Sequence, residues 1–238
     1  MNDPLCPDET DRVERKRLHV ALQSIGALDA AWQKADAYAH ESGRTPAPET
    51  LPASMRRILD TQRAWIDGAR FIADRTAAQF EVGMHDADPK LRERALRWCA
   101  LATPVLEAAC THQAFEGVSQ YLQVFAGQGH LHEWGIEQLL RDARMPMNHE
   151  GTNETQAIDL VLRKVLPDGG AAMSGLLIEL RDELDASRDV EADVQRRLAQ
   201  LRYLGTSVVV ATHADAALPC EVADDYLRVV MLAMLAWA

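Results

Sequence analysis

Apolar residues recur at steps of three and four along almost the whole chain, the period of a helix that buries one face. Leu18, Leu22, Ile25, Leu28, Trp32, Ala35 and Ala39 make the first such run. A Gly/Pro-rich loop follows, Gly43-Arg44-Thr45-Pro46-Ala47-Pro48, closed by Pro52. The second run carries Met55, Ile58, Leu59, Trp65, Ile66, Ala69, Ile72, Ala73 and Phe80 and ends between Gly83 and Pro89. The third extends from Lys90 to about Phe125; Pro104, inside it, is expected to start or kink a turn because proline lacks the N–H and crowds the preceding turn. Gly127 and Gly129 break the chain, and a short helix is expected from about His132 to Arg144, stopped by Pro146. A fifth helix starts near Gly151 and stops at Pro167-Asp168-Gly169-Gly170.

Beyond that stop, Leu177, Leu180, Leu184, Val194, Leu198 and Leu201 keep near-heptad spacing, which predicts one long helix lying along a partner surface. Val208-Val209-Val210 has strand-like composition, but no partner strand is visible elsewhere, so helix is expected there too. A last helix begins near Glu221. The pattern implies an all-α fold, an up-down bundle of long antiparallel helices with an additional helical C-terminal segment. The expected division is a tail over 1–10, a bundle over 11–166 and a helical extension over 167–238.

Composition bounds the partners. The 238 residues carry a net charge of −11 without any Lys/Arg-rich run, which argues against nucleic acid. Cys6, Cys99, Cys110 and Cys220 form no CxxC pair, and the start Met-Asn-Asp-Pro has no apolar leader, so a reducing cytoplasm is expected. The most apolar segment, Val229 to Ala238, is too short for a membrane span of roughly 20 residues.

Few residues suggest chemistry. His130 and His132 are the one close histidine pair, with no second pair at zinc-like spacing, and His112, His149 and His213 stand alone, so no metal site is expected. No Ser-His-Asp or Cys-His arrangement has a supporting motif. Glu150, before Gly151-Thr152, sits at a helix start where free N–H groups and the helix dipole favour its charge. On local pattern it is an ordinary N-terminal acid; as a general base it would need a water-poor pocket. Gln123 to Gly129 reads locally as a helix-ending glycine turn, and Arg17 as one charge among Arg12, Glu14, Arg15 and Lys16.

Taken together, Arg141-Asp142 followed by Glu150-Gly151-Thr152-Asn153-Glu154-Thr155-Gln156, with Gln123-Val124-Phe125-Ala126-Gly127-Gln128-Gly129 upstream, resembles the C-terminal half of an acyl-CoA dehydrogenase. The resemblance runs from about Asp11 to Lys164 and includes Arg17 to Gly26 as the first helix of that domain. Residues 168–238 resemble the extra helical segment of a larger bacterial branch, which Asp159 to Gly170 fits well. The family's N-terminal helical domain and middle β-domain have no counterpart.

By this resemblance Glu150 is the base that removes the α-proton of an acyl-CoA thioester while the β-hydrogen leaves as hydride to FAD. Gln123, Gly127, Gly129, Thr152 and Gln156 fall at cofactor positions, and Arg17 and Gly151 beside the substrate. A homo-oligomer, dimer or tetramer, and an electron-transfer flavoprotein are the implied protein partners. The chain departs from the pattern at Ala126, where the family has a glycine, at His149, where it has tyrosine, and at Ser42, where it has an arginine for the FAD pyrophosphate, with Arg44 nearby. Losing that arginine weakens an anion site. Three readings therefore stand: part of an FAD-dependent oxidoreductase of fatty acid metabolism, a helical oligomerisation or interaction module that does not bind flavin, or a truncated remnant.

Overall fold

The computed structural model describes residues 7–41, 51–148, 151–185 and 188–238, with side chains in the first helix described for 12–40. The Gly43–Pro48 loop, Ser42, Arg44, His149 and Glu150 lie outside the described residues. Three long helices form the bundle: α1 (Pro7–Glu41), α2 (Ala53–His85) and α3 (Pro89–Phe125). Then come α4 (Ile136–Arg144), α5 (Asn153–Asp159), α6 (Ala171–Asp182), α7 (Asp189–Thr212) and α8 (Leu218–Trp237). Among the described residues there is no strand, and no helix is long and apolar enough to cross a membrane.

The centre of the molecule is α3. Its residues Leu101, Ala102, Val105, Leu106, Ala108 and Cys110 are buried around most of the helix circumference, as expected of a helix covered on nearly all sides. It packs against α1 and α2 and is also touched by α4, α5, α6 and α8. Asp88 starts it by accepting a hydrogen bond from the Lys90 N–H at 2.8 Å, with Pro89 in the first turn. The α1 face against it is built from Ala21, Ala31 and Ala35, all fully buried, whose small side chains let the helices approach.

Four expectations change in detail. Helix α3 runs through Pro104 without interruption. The helix expected from His132 begins instead at Ile136. Gly135 precedes it at φ 67°, and residues 128–135 form successive tight turns such as Leu131 N–H to Gln128 C=O at 3.0 Å. The fifth helix is composite: α5 passes into a π-helical turn, Leu160–Val165, and a 3-10 turn, Leu166–Asp168. The near-heptad run is not one helix but the hairpin α6–α7. The step from Leu184 to Val194 is ten residues, too long for the heptad pattern, and Gln195 donates to the carbonyls of Arg181 and Leu184 at 3.1 and 2.9 Å, closing the end of α6. The Val208–Val210 run is helical, as expected.

Helices α6–α8 fold back on the bundle. Asp168 caps α6 through the N–H groups of Gly170, Ala171 and Ala172. Helix α8 lies across α3, α5 and α2, while α7 packs chiefly on α6 and α8.

Candidate functional site

The end of α4 and the start of α5 are each defined by local structure. A 3-10 turn, Met145–Asn148, ends α4, where Pro146 was expected to stop it. On the far side Gly151 has φ 115°, a conformation that L side chains rarely adopt. Thr152 then caps α5: its Oγ1 accepts a hydrogen bond from the Thr155 N–H at 3.2 Å. Asn153 docks the helix start onto α3, its amide donating to the Ala108 carbonyl at 3.1 Å and its oxygen accepting from the Thr111 hydroxyl at 3.0 Å. Sequence reasoning passed over Asn153; polar residues at a helix start are too common to single one out.

Thr152 is exposed, whereas Gln156, one turn along, is 1% exposed. Of these two expected cofactor residues, the surface of α5 therefore presents only the threonine. The expected base, Glu150, directly precedes Gly151 in the sequence and lies outside the described residues.

Three residues beyond Gln156 begins a buried ion cluster. Arg17, 8% exposed, meets Asp159 at 2.9 Å, Glu14 at 3.1 Å and Glu107 at 3.7 Å. Lys164 reaches Glu14 at 2.8 Å, Arg163 reaches Asp159 at 3.2 Å, and the Thr103 hydroxyl donates to Glu14. Three carboxylates thus face three cations, the balance that buried charge requires. Burial alone would lower the Arg17 pKa; the carboxylates of Glu14 and Asp159 outweigh it and leave the value raised. The structure gives Arg17, expected at the substrate, an internal role linking α1, α3 and α5.

The glycine turn lies elsewhere. Gln123 is exposed in the last turn of α3, Gly127 is exposed with open space around it, and Gly129 is buried against Leu122 and Phe125. Tyr38 stacks on Phe125 at 4.3 Å, Trp134 meets Tyr38 edge-on at 5.0 Å and donates to Gln128 at 3.2 Å, and Lys34 donates to the Trp134 carbonyl at 3.2 Å. This aromatic knot fixes the turn against α1. Thr111, where α5 docks, precedes Gln123 by twelve residues on one helix. At about 1.5 Å per residue, the turn and the Thr152 cap therefore stand roughly 20 Å apart along α3. One chain brings Arg17 to Asp159, and Gly151 and Thr152 to the helix that carries Gln156, but keeps Gln123, Gly127 and Gly129 apart from them.

No group of three His, Cys, Asp or Glu residues among the described ones could hold a metal ion. His130 and His132 are exposed; His132 contacts Glu137 at 2.5 Å.

Comparison with known proteins identifies the family and the fold. The family model described as acyl-CoA dehydrogenase, C-terminal domain, matches residues 10–166. The 3-methylmercaptopropionyl-CoA dehydrogenase of Ruegeria pomeroyi is 29% identical over 198 residues, 78% of this chain and 34% of that protein. The broad-specificity linear acyl-CoA dehydrogenase FadE5 of Mycobacterium tuberculosis is 28% identical over 73% of this chain and 31% of its own length. Among solved structures, Caenorhabditis elegans ACDH-11 in complex with C11-CoA superposes with a TM-score of 0.75 at 19% identity, over 93% of this chain and 38% of that one. The chain thus spans about a third of the length of these relatives. With more than half of its residues matched by one family model, the chain belongs to the acyl-CoA dehydrogenase family, within which it corresponds to the C-terminal helical domain.

Proposed function

We propose that this chain forms the C-terminal part of an FAD-dependent acyl-CoA dehydrogenase, with Glu150 as the base that removes the α-proton of an acyl-CoA thioester. The observation that carries the reading is the start of α5. Gly151 at φ 115° and the Thr152 cap are fixed to α3 by Asn153, and Glu150 directly precedes Gly151 in the sequence. In general a carboxylate ahead of a helix start gains from the free N–H groups and dipole of that helix. Arg17, through Asp159, positions the other end of α5.

The exposed chemistry suits FAD. Gln123 and Gly127 offer an amide and open backbone to an approaching ligand, and Thr152 offers an exposed hydroxyl. FAD, when bound, would accept the β-hydrogen as hydride. The separation of about 20 Å along α3 supports a site completed by a second copy of the chain, with the glycine turn of one serving the Thr152 cap of another.

About two thirds of the relatives' length has no counterpart in these 238 residues, so turnover is expected when that portion is supplied. The test is acyl-CoA-dependent dye reduction by the reconstituted protein. Glu150→Gln should lower kcat at least 100-fold, in line with the usual contribution of a general base. Turnover that survives the change sinks the assignment. The second reading, a flavin-free helical interaction module, is favoured by the internal engagement of Arg17. It predicts an oligomer whose melting temperature does not respond to FAD.

A further inference from the structure

Where α8 crosses α2, α3 and the start of α5, the structure holds a cavity of about 390 Å³. It lies on the opposite side of α3 from the Arg17 cluster: Glu107 faces Arg17, whereas Ala108, Ala109 and His112, turned away around the helix, line the cavity. The paired alanines leave the room; Trp65, Met147 and Met231 supply apolar walls. Small-molecule sites span roughly 300–1,000 Å³ and combine apolar walls with a few polar groups. This one falls at the lower end.

Two donor groups line it with hydrogen bonds to spare, beside the Asp224 carboxylate, which also lines it. His112 makes no hydrogen bond or ion pair with the described residues. Arg228 forms one ion pair among them, with Asp224 through Nε at 3.0 Å. A guanidinium has five N–H donors, so Asp224 orients the group without exhausting it. An apolar slot ending in spare donors and a cation matches an amphipathic anion.

We propose that this cavity binds a small amphipathic carboxylate, its chain against Trp65 and Met231 and its head group on Arg228, with His112 as a second donor. The cavity stands apart from the glycine turn, and the proposal rests on the cavity's own lining rather than on the dehydrogenase reading.

Decanoate, titrated calorimetrically into the purified chain, tests it, with decan-1-ol as the neutral comparator. The expected result is saturable one-to-one binding of decanoate. Arg228→Ala should weaken it at least tenfold, as should replacing the carboxylate by the alcohol, and Ala109→Leu, which fills the cavity, should abolish it. Absence of saturable binding, equal affinity for the alcohol, or unchanged affinity in both variants overturns the proposal. If Ala109→Leu fails to fold by circular dichroism, Arg228→Ala, an exposed position, decides alone.

Discussion

Ala126 holds φ 51° and ψ −133°, a backbone region open to glycine and costly for any residue with a Cβ. Its place in the sequence, where the family has a glycine, and its strained geometry are the same fact seen twice. Such strain costs about 1–3 kcal/mol, and glycine gives back about 0.5–1 kcal/mol through its freer unfolded chain. Ala126→Gly should therefore stabilise the protein by about 1 kcal/mol, raising Tm by about 2–4 °C for a chain of this size. A lower Tm would show that the turn is not strained. Arg17 makes the converse argument. Arg17→Met would leave Glu14, Glu107 and Asp159 without their shared cation, a loss of about 3–5 kcal/mol in urea unfolding. Adding Glu14→Gln should recover part of it; no recovery would mean the cluster is not electrostatic. Sequence singled out Arg17 but not its ion partners, because Glu107 and Asp159 come from distant helices and only packing brings them within reach.

Helices were the legible scale of this chain, since a 3.6-residue apolar period over thirty residues has few other solutions. Boundaries were less so. Gly135 and the turn inside the α6–α7 run act through backbone angles and side-chain caps that periodicity does not register. What holds α6–α8 to the bundle was not legible at all. Arg75 of α2 packs over the rings of both Trp98 and Trp237, 4.3 and 4.8 Å from their centroids, and pairs with Glu179 at 3.1 Å and Glu183 at 2.7 Å. One side chain thus ties α2 and α3 to α6 and α8. Arg75→Ala should cost about 2 kcal/mol, mostly from the two ring contacts, because partly exposed ion pairs add little. Amide exchange should speed up in α6 and α8 and stay unchanged in α1; uniform acceleration would refute the clasp. Gly117 sets the opposite limit, on closeness. A Cβ there would stand 2.5 Å from Leu28 Cδ1 and 2.6 Å from Gln62 Oε1. Gly117→Ala should lose about 1–3 kcal/mol by overpacking, whereas Gly26→Ala, with open space around it, should gain about 0.5–1 kcal/mol. Thermal melts of the pair separate packing from propensity.

At the scale of the whole molecule, stability rests on one apolar helix wrapped by the others, and that arrangement buries weakly acidic groups whose ionisation burial opposes. Burial pushes the Cys110 thiol on α3 and the Tyr226 hydroxyl on α8 each up to about 12, and raises Tyr121 as well. In the unfolded chain a cysteine ionises near pH 8.5 and a tyrosine near 10. The folded state therefore keeps protons that the unfolded state gives up. Their contribution is fully present below about pH 8 and is lost as pH rises through 9 toward 12, by up to about 1.4 kcal/mol per pH unit for each group. Urea midpoints should fall steadily from pH 8 to 10.5, even though no surface group need change its contacts. Cys110→Ala removes one of the titrating groups. Its midpoint should start lower, for the lost packing, and then fall less steeply by about one proton between pH 9 and 10.5. Parallel slopes for the two proteins would mean that alkaline unfolding starts at the surface rather than in the core around α3.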